Sequence, residues 1–294
     1  MIGSPLAWYR AFRRRRILNS VRIPDDLWRA TLSRFAFARS LSEAERARLR
    51  DLVVLFLHEK EFTGAVGLEI TTPIKLAIAA QACVVILELG LDYYRDWVGI
   101  IVYPEAFVPR HSYMTSEGTL SEDDAIHAGE AWLRGPVILS WADVQGSGSL
   151  DGVNVVIHEF AHKLDMLNGT PTGFPPLHRT MNRIDWTEAF SAAFNDFARR
   201  VQAGERTRID PYAAESPAEF FAVMSEAFFE IPRAVQTEYP QVYEQMKLFY
   251  RQDPAERLPE REDEGNDGLA ENLAGHPLVA VWRTRSAVRR GDGD

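Results

Sequence analysis

The chain contains a single cysteine, Cys83, in 294 residues. One thiol closes no internal disulfide, so a cystine-stapled fold is excluded and nothing calls for an oxidising compartment. A long apolar run is missing too. The most apolar stretch, Leu76 to Leu91, is interrupted by Gln81 and Glu88, short of the roughly 20 residues a membrane-crossing helix needs. No apolar segment follows the N-terminal arginines as in a signal peptide, because Arg22, Pro24, Asp25 and Asp26 arrive too soon. Basic charge is in deficit, 33 Lys and Arg against 42 Asp and Glu, for a net of −9. Direct nucleic-acid binding, which relies on Lys and Arg meeting phosphates, is therefore not expected. These absences describe a cytoplasmic protein without a membrane span. One local exception is Arg13-Arg14-Arg15-Arg16, which follows Trp8, Tyr9 and Phe12. A solvated terminal helix is its plain reading and a membrane-surface or partner helix the alternative.

What is present is ordinary globular composition, 46% hydrophobic and 26% charged, enough to bury a proper core. Asp25 to Arg39 sets Leu27, Trp28, Leu32 and Phe35 on one helical face, and Ser42 with Glu45 opens a second helix as a capping box. A buried helix is expected to follow Thr72 as cap, with Pro73 in its first turn and Gly90 at its end. Trp97 to Tyr103 and Val137 to Trp141 read as strands, with a polar loop from Ser112 to Glu130 between them. Gly146 to Ser149 reads as a flexible joint, and helices dominate again from Trp186. The expected fold is α+β, helix-rich, with one small sheet beside a central helix. Residues 1–252 form the domain, and 253–294, rich in Pro, Glu, Asp and Gly, form an acidic disordered tail.

The segment Val156-Ile157-His158-Glu159-Phe160-Ala161-His162-Lys163-Leu164-Asp165 carries the pattern H-E-x-x-H. At about 100° per residue, a helix sets Asn154, His158, Glu159, His162 and Asp165 within one arc of about 140°. Val153, Val156, Ile157, Phe160, Leu164 and Leu167 lie opposite; Lys163 is out of place there and its stem can snorkel. Residues four apart stand one above the other, so two imidazoles can meet one tetrahedral ion. Glu159 is rotated off the metal direction and suits a proton-accepting role toward water. The plain alternative is two half-exposed histidines on an amphipathic helix.

A catalytic zinc needs a third protein ligand. The extended pattern with a third histidine fails, since Asp165 and Asn168 stand where Gly and His are required. His178 follows Gly173, Pro175 and Pro176, and its placement is not readable. In Ser216-Pro217-Ala218-Glu219, Ser216 caps a helix that Pro217 opens. Glu219 fits both a ligand and the acidic half of a capping box, and Glu226 shares its helix face.

The run His158 to Asp165 stands with Asp210-Pro211-Tyr212-Ala213-Ala214 and Pro217-Ala218-Glu219-Phe220-Phe221-Ala222-Val223. Together with Ile78 to Cys83 and Val102-Tyr103-Pro104, these segments resemble the Mlc titration factor A family of zinc peptidases over most of residues 20–250. The resemblance implies a zincin-like domain with one zinc per chain on His158, His162 and Glu219, Glu159 as general base, and Tyr212 as hydrogen-bond donor to the oxyanion. It further implies aminopeptidase-like cleavage of a peptide substrate in the cytoplasm, and a transcriptional repressor as a protein partner. Val223 stands four residues after Glu219, where thermolysin-like enzymes have Asp. Asp165 or Asn154 is therefore expected to orient the imidazoles. Ser140 and Trp141, on the strand from Val137, are expected to offer an edge to an extended peptide.

Overall fold

A computed structural model describes residues 5–105 and 135–258 of the chain. The chain starts with helices α1 (Pro5–Ser20), α2 (Asp25–Ser33), α3 (Ala36–Arg39) and α4 (Glu43–Glu59), then strand β1 (Glu61–Gly64) and helix α5 (Thr72–Val85). Strands β2 (Gly99–Tyr103) and β3 (Val137–Ser140) follow, then α6 (Trp141–Gly146) and α7 (Val155–Asp165), the helix carrying the two histidines. The last part holds α8 (Arg183–Gln202), α9 (Pro217–Glu230), α10 (Pro232–Glu238), α11 (Pro240–Tyr250) and α12 (Pro254–Arg257). The fold is α+β and helix-rich, as the sequence pattern predicts.

The three strands lie in the order β1-β2-β3, all parallel, with Phe62 opposite Ile100 and Val102 opposite Leu139. Parallel neighbours cannot be joined by a tight turn, and α5 lies in the connection from β1 to β2. Leu76 to Val85 of α5 is buried throughout, packed against α2, α4 and α7. Its two polar interruptions have different fates. Gln81 is fully buried and its Oε1 accepts from Asn154 at 2.9 Å. Glu88 is half-buried and pairs with Arg48.

Two aromatic clusters fix the helices of the site. Phe160, on the back of α7, meets Phe56, Tyr94 and Trp97 with ring centroids 5.7, 5.0 and 5.5 Å away. Phe221 of α9 meets Trp186, Phe190 and Phe249 at 6.0 to 6.2 Å. Such contacts are directional as well as apolar, so they set the rotation of each helix. Pro217, Pro232, Pro240 and Pro254 are the first residues of α9 to α12. There the absent N–H costs nothing and the fixed φ is already helical.

Four sequence expectations change. The helix predicted over Asp25–Arg39 is broken at Phe35, whose backbone is extended (φ −111°, ψ 118°) so that Phe35 and Phe37 both reach the core and stack. The cap of α5 is Thr71, not Thr72, and α5 ends at Val85, well before Gly90; there Gln252 Nε2 donates to the Val84 carbonyl. The strand from Val137 stops at Ser140, and Trp141 opens α6. Gly146 to Ser149 is a packed turn instead of a flexible joint. Ser147 is buried, Gly148 has φ +88°, and its carbonyl accepts from Ala36 N at 3.3 Å. The capping box of Ser42 and Glu45 forms as expected. The expected loop 112–130 and the expected tail beyond Leu258 lie outside the described residues, while Ala255 and Leu258, past the expected boundary at 252, are buried.

A Cβ at Gly148 lies 2.6 Å from the Phe35 ring, whereas one at Gly146 meets nothing within 4 Å. Gly148→Ala is therefore expected to lose about 2 kcal/mol or more, from positive φ and overpacking together. Gly146→Ala is expected to be neutral or to gain up to about 1 kcal/mol through reduced chain entropy. Urea unfolding of both variants checks this, and equal midpoints would contradict the packed turn.

Candidate metal centre

Helix α7 begins at Asn154, whose Oδ1 accepts from Ile157 N at 3.0 Å. From that start His158 and His162 rise one above the other, with Nε2 atoms 3.1 Å apart. Across from them, α9 begins at Ser216, whose Oγ accepts from Glu219 N at 3.2 Å. The cap holds the backbone of Glu219 and leaves its carboxylate free to turn toward α7. Oε2 lies 3.1 Å from His158 Nε2 and 3.3 Å from His162 Nε2. One ligand atom from each of these three side chains lies within 4.8 Å of the others, close enough for one ion.

The surroundings test whether a metal fits. Glu219 Oε2 is shut off from solvent without a well-aligned hydrogen bond, although it faces both imidazoles. Burial opposes ionisation of Glu219, yet the nearness of His158 and His162 outweighs it and holds the carboxyl well below the usual range. Two imidazole nitrogens and one ionised carboxylate oxygen on a common point are the donor set of a catalytic zinc site. The residues fit the ion.

Tyr212 sits on the turn Pro211–Ala214, held by Asp210, whose Oδ1 accepts from Tyr212 N at 2.9 Å. Its ring lies 6.0 Å from that of His158, and its hydroxyl hydrogen-bonds the Glu219 carboxylate. Burial, then the charge of Glu219, push the phenol up, so it remains a protonated donor. Glu159 is half-buried on α7, close enough that its charge acts on both Tyr212 and Lys163. Lys163 does not snorkel. It is buried, donates to the Gly135 carbonyl at 2.8 Å, and burial pushes its amine down to about 8.

The residues expected to orient the imidazoles are otherwise engaged. Asp165 accepts from Gly173 N at 2.7 Å and Phe174 N at 2.9 Å. Gly173 in turn approaches the Pro217 carbonyl so closely that a Cβ would lie 2.4 Å from it. Asp165 thus fixes the loop that seats the first turn of α9. Asn154 donates through Nδ2 to Gln81 Oε1 at 2.9 Å and Glu230 Oε1 at 2.8 Å. The carboxylate against His158 Nδ1 is that of Glu226, at 2.7 Å, and its other oxygen accepts from Asn154 N. This contact keeps the Nδ1 proton in place and aims the Nε2 lone pair at the common point. In the sequence the signal for Glu226 is its seven-residue spacing from Glu219, which sets both on one helix face.

Other candidates lie apart. His178 stacks on Phe249 and donates to its carbonyl at 2.7 Å. Ser140 is buried and caps α6, accepting from Asp143 N at 3.2 Å. Trp141 packs under Arg34, 5.7 Å from the guanidinium carbon. β3 as a whole, with β1 one of the two outer strands of the described sheet, retains the expected edge.

The family model of the glucose-regulated metallo-peptidase M90 matches residues 9–251. The chain belongs to that family. An uncharacterized protein of Synechocystis sp. is 37% identical over 231 residues, 77% of this chain and 84% of that protein. The Mlc titration factor A proteins of Salmonella paratyphi A and Klebsiella pneumoniae are 36% and 35% identical, covering 78% and 77% of this chain and 87% of each relative. The family places a metallopeptidase-like domain over the whole two-histidine site, from α7 to α9.

Glu230, one turn past Glu226, is buried. Its Oε2 accepts from Leu150 N at 2.7 Å, yet burial pushes its carboxyl up to about 7. Between the ordinary carboxyl range and that value, the folded chain keeps a proton the unfolded chain releases. This contribution to stability is therefore full at low pH and falls as pH rises toward about 7. Relative to Glu230→Gln, the parent is expected to lose on the order of 1 kcal/mol or more between about pH 5 and about pH 8. Thermal melts of the two proteins across that range check it; a constant difference would contradict the buried, proton-holding carboxyl.

Proposed function

We propose that the chain is a zinc-dependent peptidase, aminopeptidase-like and cytoplasmic, holding one zinc on His158, His162 and Glu219. The observation that carries this is the convergence of two Nε2 atoms and one buried Oε2 beside Glu159. When bound, zinc supplies Lewis acidity, polarising the scissile carbonyl and making water a stronger acid. The chain supplies the rest. Glu159 takes a proton from the attacking water and passes it to the leaving amine. Tyr212, kept protonated by burial and Glu219, donates to the carbonyl oxygen as negative charge develops there. Glu226 holds the His158 ring in one orientation. An extended peptide adds along β3, with its scissile bond between Glu159 and Tyr212.

Glu159→Gln is expected to retain one zinc per chain by elemental analysis while hydrolysing aminoacyl p-nitroanilides about a hundredfold or more slowly, the usual worth of general acid–base help. Parental rates in that variant would remove Glu159 from the chemistry. Tyr212→Phe is expected to lower kcat by roughly ten- to a thousandfold with little change in KM. Glu219→Gln is expected to weaken zinc in competition with a chelator. If it binds zinc like the parent, the third ligand lies elsewhere.

A second reading rests on the relatives named Mlc titration factor A. The chain binds and sequesters a transcriptional repressor, on a surface separate from the zinc ligands. Glu159→Gln then still captures a repressor from cell extract, whereas a retained set matching that of a blank resin would remove this reading.

A further inference from the structure

Helix α1 contains no Asp or Glu over Pro5–Ser20, in a chain whose net charge is −9. It is held down on one side. Arg14 reaches Glu59 at 3.2 Å and Asp92 at 2.8 Å, Ile17 is buried and Leu18 is half-buried. At about 100° per residue, the opposite side carries Trp8, Tyr9 and Phe12 with Arg13, Arg15 and Arg16 around them. The three aromatic residues are 68%, 58% and 54% exposed, and Trp8 and Phe12 stack at 5.7 Å. All three flanking arginines are exposed. Scattered apolar residues on a surface need no explanation, but three contiguous aromatic side chains ringed by cations do.

From this face we infer that α1 docks the protein on an anionic lipid surface. Aromatic rings at headgroup depth with Arg beside them are the chemistry of an interfacial helix. Beside the same helix, a recess of about 420 Å³ sets Arg10, Arg13, Arg14 and Arg95 against Glu59 and Asp96. Arg14 is paired with Glu59 and Asp92 and Arg95 with Asp96, so Arg10 and Arg13 are the guanidinium groups that suit a headgroup phosphate. A second copy suits the face less well, because two such faces bring arginine rim against arginine rim. No described helix is long and apolar enough to cross a membrane, and the inferred attachment is to the lipid surface. It does not depend on the peptidase reading.

Flotation of the full chain with large unilamellar vesicles tests the inference. It is expected to float with phosphatidylcholine–phosphatidylglycerol vesicles, not with phosphatidylcholine alone, and to be released by high salt. Each arginine at an anionic surface is worth roughly fivefold in partitioning, so Arg13→Gln/Arg15→Gln/Arg16→Gln is expected to lose about a hundredfold. Trp8→Ser/Phe12→Ser keeps every charge and is expected to lose about tenfold or more. Thermal melting is expected to match the parent, since these side chains face solvent; should the triple variant be destabilised, Arg15→Gln alone still reads the fivefold loss. Absence of flotation with anionic vesicles overturns the inference, as does flotation that neither multiple variant changes. Self-association lost on Trp8→Ser/Phe12→Ser, without lipid binding, assigns the face to a second copy instead.

Discussion

The contact between α7 and α9 is polar where the core around it is apolar, and the rest of the fold serves to hold it. Glu219, Glu226 and Glu230 stand along one side of α9 and face His158, His162 and Asn154 of α7 and its cap. Buried charges without partners cost several kcal/mol, and removing one member of such a pair strands the other. In this register of the two helices Glu226 meets His158 and Asn154, Glu230 meets Asn154, and Glu219 lies against both imidazoles. The Phe160 and Phe221 ring clusters fix their rotation, while Asp165 and Gly173 fix the start of α9.

Environment, not residue type, separates the three glutamates. Glu219 lies between two imidazoles and is held well below the usual carboxyl range. Glu230 is as buried as its neighbours, yet it meets only neutral donors, the Asn154 amide and the Leu150 N–H, and is pushed up to about 7. Ion pairing offsets desolvation in one case, and neutral hydrogen bonds do not in the other. One helix can thus present both an anionic carboxylate and one that holds its proton up to about pH 7.

The two-histidine helix was legible because its signal is local: a spacing of four, one polar arc and one apolar arc around His158 and His162. Helix starts at Ser42, Ser216 and Pro217 were legible for the same reason, since caps are read from neighbouring residues. What connects distant parts of the chain was not. Asp165 and Asn154 looked like partners for the imidazoles because they share the polar arc. The arc gives no sign that Gly173 N–H or the Gln81 amide would claim them first. The break at Phe35 and the packed turn at Gly148 were missed together, because each exists to accommodate the other. The early end of α5 goes likewise with a partner, Gln252, which meets the Val84 carbonyl from 168 residues away.

The donors of the candidate centre come from helices separated by α8 and two turns, with His158 and His162 on one and Glu219 on the other. An ion held by all three is a removable cross-link between residues far apart in sequence. Because the unfolded chain does not keep those donors together, the binding free energy enters the stability of the domain directly. Removing an ion held in that way would leave the same fold easier to unfold and more readily degraded, with no change in its synthesis.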